Sequence, residues 1–99
     1  MVTVTPAAAE QIRQSAQQGN MQDMPLRVAV TRLQNGAFHY AMGFDDHHHD
    51  GDKHFQSEGI DIVVAPPSLE LLSGTVIDYV DMEGGKELIF INPNDPDQK

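Results

Sequence analysis

The stretch "LRVAVTRLQNGAFHYAMGF", residues 26–44, decides the fold class. Leu26, Val28 and Val30 alternate with Arg27, Ala29 and Thr31, a period of two that gives an extended strand one apolar and one polar face. "LQNG" interrupts the alternation, and Asn35 and Gly36 both tolerate positive φ, so the spacing predicts a hairpin. Beyond it Phe38, Tyr40, Met42 and Phe44 share one face, while His39, Ala41 and Gly43 point the other way.

Working outward, "TPAAAEQIRQSAQQG" reads as a helix with Thr5 as N-cap, Pro6 in the first turn and Gly19 as the stop. Its apolar stripe of Ala8, Ala9, Ile12 and Ala16 is thin, so its small side chains predict close approach to a neighbouring layer. A short apolar strand is expected before it, at Val2 to Val4. "KHFQSEGIDIVVAPP" predicts two strands around a Ser57-Glu58-Gly59 turn, ended by Pro66 and Pro67. "PPSLELLSG" predicts one or two helical turns, with Ser68 as a cap and Gly74 closing them. "TVIDYV" and "ELIFIN" complete the strands, joined through the paired glycines of "DMEGGK". The tail "NPNDPDQK" is polar and proline-broken, so fraying is expected there. About six or seven short strands and one clear helix make a mostly β domain of the α+β kind. Residues 1–94 are expected to form a single domain and residues 95–99 a flexible tail.

Composition narrows the function classes. The 99 residues suit one domain with a modest core, and 39% hydrophobic with 21% charged residues fits a globular chain. Six Lys and Arg stand against fifteen Asp and Glu, a formal charge of −9 that repels phosphate backbones and argues against nucleic acid. No run of about 18 apolar residues offers a membrane span, and "MVTVTPAAAEQ" lacks the features of a secretory leader, so a cytoplasmic location is expected. Zero cysteines remove disulfides, thiolate nucleophiles and thiolate metal ligands together.

The chemically dense segment is "FDDHHHDGDKHF", residues 44–55, with four histidines and four aspartates. Neutral imidazole with carboxylate suits zinc, nickel, copper or ferrous iron, which makes His47, His49, His54 and Asp50 the candidate metal ligands. In an extended chain His47 and His49 share a side that His48 does not. Three readings stay open: a mononuclear iron or zinc site, a pH-responsive element, and a hydrophilic hairpin connection held in water. Protonating all five histidines would move the formal charge from −9 to −4. Ser15, Ser57, Ser68 and Ser73 lack a nucleophile-elbow context, and "EGGK" lacks the spacing of a phosphate-cradling loop. A non-enzymatic protein is expected.

The order of segments adds a resemblance. "LRVAV", a turn, "FHYAMGFDD", then "GIDIVVAPPSLELLSGTVIDYV" and "FINPN" resemble the A-type iron-sulfur carriers, the HesB/IscA-like family, over nearly the whole chain. "SLELLSGTVIDYV" is similar to the family's serine-leucine, glycine-threonine and aspartate-aromatic-valine pattern, and "NPN" to its asparagine-proline-asparagine. "VTVTPAAAEQI" is similar too. The resemblance implies a HesB-like mixed β-sandwich or flattened barrel, the N-terminal helix packed outside, and oligomerisation.

It also implies three cysteines that hold iron or a cluster: one before a glycine-containing turn in mid-chain and a CxC pair after "NPN". The first position falls on Asn35, the next near Lys99, and the third past the last residue. Imidazole replaces thiolate on one iron in some clusters, but cysteines hold the rest, and none is present here. No cofactor is expected. What remains is a scaffold for an unknown protein partner or a regulatory role, with Asn35, Gly36 and His39 as candidate interaction residues. The chain is similar to the cysteine-free DsrR type within the family, which accompanies dissimilatory sulfur-oxidation genes.

Overall fold

The computed structural model describes residues 1–47 and 49–98; His48 and Lys99 lie outside the described residues. Among them, seven strands form two sheets. β1 (Thr3–Val4), β6 (Val76–Met82) and β7 (Gly85–Ile91) make a three-stranded sheet in the order β1-β6-β7. β2 (Leu26–Arg32), β3 (Phe38–Phe44), β4 (Lys53–Ser57) and β5 (Ile60–Val64) make a four-stranded sheet in the order β3-β2-β5-β4. Each sheet mixes one parallel pairing, β1 with β6 and β2 with β5, with antiparallel ones. The architecture is an open sandwich and not a closed barrel.

The alternation read in residues 26–44 sets the register. β2 and β3 pair from Leu26–Phe44 to Arg32–Phe38, so Leu26, Val28 and Val30 face the core beside Phe38, Tyr40, Met42 and Phe44. Ile62 and Val64 of β5 extend this face and Ile77 of the other sheet joins the same core, all three fully buried. Helix α1 (Pro6–Gln18) covers the core with the expected stripe of Ala8, Ala9, Ile12 and Ala16, capped by Thr5, whose Oγ1 accepts from the Ala8 N–H at 3.1 Å. The left-handed residue after α1 is Asn20 (φ 56°), one position beyond the expected stop at Gly19.

Three sequence expectations change. Ser68 is not a helix cap: the short α2 (Pro66–Leu69) starts after Ala65 without a side-chain cap. β2 pairs with β5 only at Leu26 and Arg27, which leaves Val30 without a strand partner on that side. The buried Ser68 hydroxyl fills the gap, accepting from the Val30 N–H at 3.1 Å and donating to the Val30 carbonyl at 3.3 Å. The residues after β7 are also anchored where fraying is expected. Asn92 and Asp95 are buried, and Pro96–Gln98 form a 3-10 turn, because polar side chains here find internal partners instead of water.

The third change concerns the histidine-rich segment. It joins β3 to β4, which lie at opposite edges of one sheet, so it is a crossing over the sheet end and not a hairpin connection. Arg27, on the polar face of β2, fastens it. The guanidinium donates to Asp45 Oδ2 at 2.7 Å, to both Asp52 oxygens at 3.2 and 2.7 Å, and to the His47 carbonyl at 3.2 Å. Gly51, at φ +85°, sits so close to Pro66 that a Cβ there would meet the ring at 2.9 Å. Val63, in register with Arg27, is buried on this side, which accounts for the unbroken apolar run Ile62-Val63-Val64 at the end of β5.

Two predictions follow from this framework. Ser68→Ala strands the buried Val30 N–H and C=O, and should cost ~1–3 kcal/mol in urea denaturation, since an unpaired buried polar group bears its full desolvation penalty; a loss within experimental error would show that Val30 finds another partner. The Arg27 hydrogen bond lowers Asp52 from its ordinary 3.8 to about 2, so this carboxylate stabilises the fold fully above its unfolded value and the contribution fades as pH falls from 3.8 toward 2. The stability difference between the natural chain and Asp52→Asn should therefore shrink across that interval; a difference constant with pH would contradict the assignment.

Candidate functional site

Two places hold the residues singled out in the sequence. The first is the end of the β2–β3 hairpin together with the segment after β7. The hairpin closes with Leu33 N–H on the Ala37 carbonyl at 2.8 Å and Gly36 N–H on the Leu33 carbonyl at 2.9 Å, with Gly36 at φ 87°. Asn35 is exposed, and its Oδ1 accepts from the Ala37 N–H at 3.0 Å, an Asx-type closure of its own turn. His39 stands on the outer face of β3, exposed and in register with Thr31. The three candidates share one hairpin, but their polar atoms do not converge.

The "NPN" motif does converge. Asn92 Nδ2 donates to the Leu71 carbonyl at 2.8 Å and to the Tyr40 hydroxyl at 3.2 Å. Asn94 donates its N–H to Asn92 Oδ1 at 2.9 Å and its Nδ2 to the Ser73 carbonyl at 2.7 Å. Tyr40 donates to Asp95 Oδ2 at 2.6 Å and stacks on Phe90, ring centroids 4.6 Å apart. Burial, reinforced by the Asp95 acceptor, pushes the Tyr40 hydroxyl up to about 12, so it remains a donor at any working pH. Gln98 finishes the clasp, its Oε1 accepting from Asn92 N–H and its Nε2 donating to the Phe90 carbonyl.

Arg32 at the end of β2 and Asn94 face each other across a hollow of about 290 Å³, shared with Glu70 and Leu71. The polar groups here are amides, carboxylates and a guanidinium, and the Asn35 amide oxygen is engaged in its turn. None of these groups is a thiolate, the usual ligand of iron in such clusters. The second family cysteine position is expected near Lys99, which lies outside the described residues.

The second place is the crossing segment. His47 is highly exposed, with Nδ1 2.8 Å from Asp45 Oδ1 and 3.5 Å from Asp46 Oδ1. The Asp45 contact raises the His47 pKa above its ordinary 6.5. In turn the His47 backbone N–H, the His47 ring and Arg27 hold the Asp45 carboxylate well below the usual range. Asp45, Asp46 and His47 can each offer a ligand atom within 4.8 Å of the others. Of the four sequence candidates only His47 belongs to that group. His49 and Asp50 are exposed further along, the His49 N–H donating to Asp52 Oδ2 at 3.1 Å, and His54 lies on β4 in register with Val63. Sequence reasoning passed over Arg27, the residue that organises the segment. Its signal was a rare cation on a strand facing two flanking acidic runs.

The comparisons with known proteins agree with this geometry. Residues 1–97 match the family described as iron-sulphur cluster biosynthesis. A protein of Aquifex aeolicus strain VF5 is 40% identical over 92 residues, covering 92% of this chain and 78% of that protein. The iron-sulfur cluster insertion protein ErpA of Mannheimia succiniciproducens is 33% identical over 93 residues, covering 94% and 82%. A crystal structure of IscA with the [2Fe-2S] cluster superposes with a TM-score of 0.81 at 31% identity, over 95% of this chain and 86% of that one. Matched over residues 1–97 and alike in fold, the chain belongs to the iron-sulphur cluster biosynthesis family of HesB/IscA-like proteins.

Proposed function

We propose that this chain is a non-enzymatic member of the family that keeps the IscA-like scaffold for protein interaction or regulation and does not carry clusters. One observation carries the reading: in 99 residues without a cysteine, the mid-chain ligand position is Asn35, whose amide closes its own turn. Hard oxygen and nitrogen donors give an iron-sulfur cluster little to hold. The motifs retained around it support an intact binding surface, because each has a structural partner. The likeness to the cysteine-free DsrR type supports a context of bacterial sulfur oxidation in the cytoplasm, with an unidentified protein partner and self-association as in a family oligomer. No helix among the described residues is long and apolar enough to cross a membrane.

A second reading, a mononuclear iron or zinc site, is favoured only by the grouping of Asp45, Asp46 and His47. The Arg27 guanidinium on Asp45 opposes it, since a cation already occupies one face of the carboxylate.

Anaerobic incubation with ferrous iron and sulfide should leave the desalted protein colourless, and Asn35→Cys should not change that, because one thiolate leaves the remaining iron positions unfilled. Stoichiometric iron and sulfide with visible absorbance would overturn the proposal. Calorimetric titration with zinc should give weak, non-saturating heats that His47→Ala leaves unaltered; saturable one-to-one binding abolished by that substitution would move the reading to the metal site.

A further inference from the structure

Each sheet of an open sandwich ends in two edge strands, whose outward N–H and C=O groups form a template for another chain unless something blunts them. Among the described residues three of the four edges are blunted. β1 is two residues long, and the Ser57 hydroxyl at the end of β4 occupies the Val4 N–H at 3.1 Å and carbonyl at 3.4 Å, which ties those two edges together. β7 opens on Gly85, Lys86 and Glu87, all exposed. β3, "FHYAMGF", is seven residues long without proline, lysine, arginine or carboxylate, and β2 is its one neighbour.

The hydrogen-bond phase of β3 identifies its free groups. Asp45 N–H donates to the Pro25 carbonyl at 3.1 Å and Leu33 N–H to the Ala37 carbonyl at 2.8 Å, one bond at each end of the β2–β3 ladder. Antiparallel pairing alternates, so His39, Ala41 and Gly43 direct their N–H and C=O to β2, and Phe38, Tyr40, Met42 and Phe44 direct theirs outward. That phase is self-complementary. Turned about a two-fold axis at Ala41, a second β3 sets Phe38 opposite Phe44 and Tyr40 opposite Met42, so every outward group along the strand finds a partner.

The side chains favour the same register. On the inner face it joins aromatic with aromatic and sulfur with aromatic, pairs that stabilise neighbouring strands. On the outer face Ala41 meets its own copy, and His39 falls opposite Gly43, where nothing lies within 4 Å of the place a Cβ would take. A shallow hollow of about 290 Å³, lined by Arg27, Ala29, Ala41, Gly43 and Asp45 among others, has room there for the imidazole. The two-fold axis makes this contact twice. Charge is compatible with it. Arg27 neutralises Asp45, and Asp95 is buried against Tyr40. Arg32, in register with Phe38 and 5.4 Å from its ring centroid, makes no ion pair among the described residues, and the two-fold brings it to the strand end where the exposed Asp46 follows Phe44. The net charge of −9 disfavours two copies at low ionic strength, but ~0.15 M salt screens it beyond about 8 Å and none of it lies on β3.

We propose that two copies of this chain associate through their β3 edges, antiparallel about a two-fold axis at Ala41, to form one continuous sheet. This rests on the self-association within the proposed reading and assigns it a surface and a register.

Amide exchange followed by NMR on the full chain, at ~20 μM and at ~1 mM in ~0.15 M salt, reads that register. A seven-residue strand pair is a small interface, for which a dissociation constant on the order of 100 μM is expected. Exchange at Phe38, Tyr40, Met42 and Phe44 should then slow about fourfold on concentration, while His39, Ala41 and Gly43, already bonded to β2, should not respond. Ala41→Lys and Ala41→Glu, at an exposed position, each set like charges face to face across the axis and should sediment as folded monomers. Mixed in equal amounts, the two variants should pair at least about tenfold more tightly than either alone. A natural chain still monomeric at ~1 mM would overturn the proposal and leave the edge to another protein. Protection that grows with concentration on β6 or β7 instead, or Ala41 variants that associate like the natural chain, would overturn it by placing self-association on another surface. Cluster uptake on reconstitution would sink the scaffold reading and leave the exchange pattern standing, so the two failures are distinguishable.

Discussion

A backbone N–H or C=O taken out of water must find a partner, and at the seams of an open sandwich there is no further strand to provide one. Side chains do it here. Ser57 bridges the edge of one sheet to β1 of the other, and Ser68 stands in for a missing strand beside Val30. After β7, Asn92, Asn94 and Gln98 satisfy the Leu71, Ser73 and Phe90 carbonyls. Each such bond contributes roughly 1 kcal/mol net, but leaving the buried group unpaired costs more. The two layers stay aligned because these few polar residues leave the seams no cheaper alternative.

This separates the family's signature from its chemistry. The serine-leucine and asparagine-proline-asparagine motifs that identify the chain are seam residues, with hydroxyl and amide groups committed to the backbone. Asn35, the position we propose for the family's mid-chain ligand, lies elsewhere, at an exposed hairpin end where its side chain closes its own turn. Asparagine is well suited there, since it closes an Asx turn through Ala37. A chain can therefore lack that thiolate without loosening the sandwich, whereas losing Ser68 or Asn92 would open it.

The same division explains how much was legible in the sequence. Period-two alternation in β2 and β3, the Thr5 cap and the Asn35-Gly36 turn are local, each set by residues within a few positions, and all could be read directly. The role of Ser68 was not local, because it depends on β5 ending before Val30 finds a strand partner, a fact of topology 38 residues away. Residues 92–95 looked like a fraying tail because polarity and proline are the usual signs of one; what anchors them is Tyr40, which the alternation had correctly assigned to the inner face without revealing its hydroxyl's partner. Strand order was equally out of reach. Without knowing that β3 and β4 occupy opposite edges, the histidine-rich stretch could only be taken for a hairpin connection.

Once the strand order is known, the position of one cation decides how that stretch behaves. Arg27 projects from β2 under the crossing chain and collects Asp45 and Asp52, one on either side of the histidines, with bonds of 2.7 Å to each. With those two carboxylates drawn inward, His47 and His49 are exposed while the Asp52 side chain is fully enclosed. A metal ion there would compete with a guanidinium that cannot be deprotonated at any physiological pH. Two of the acids flanking the histidines, Asp45 and Asp52, are thus engaged in holding the segment down.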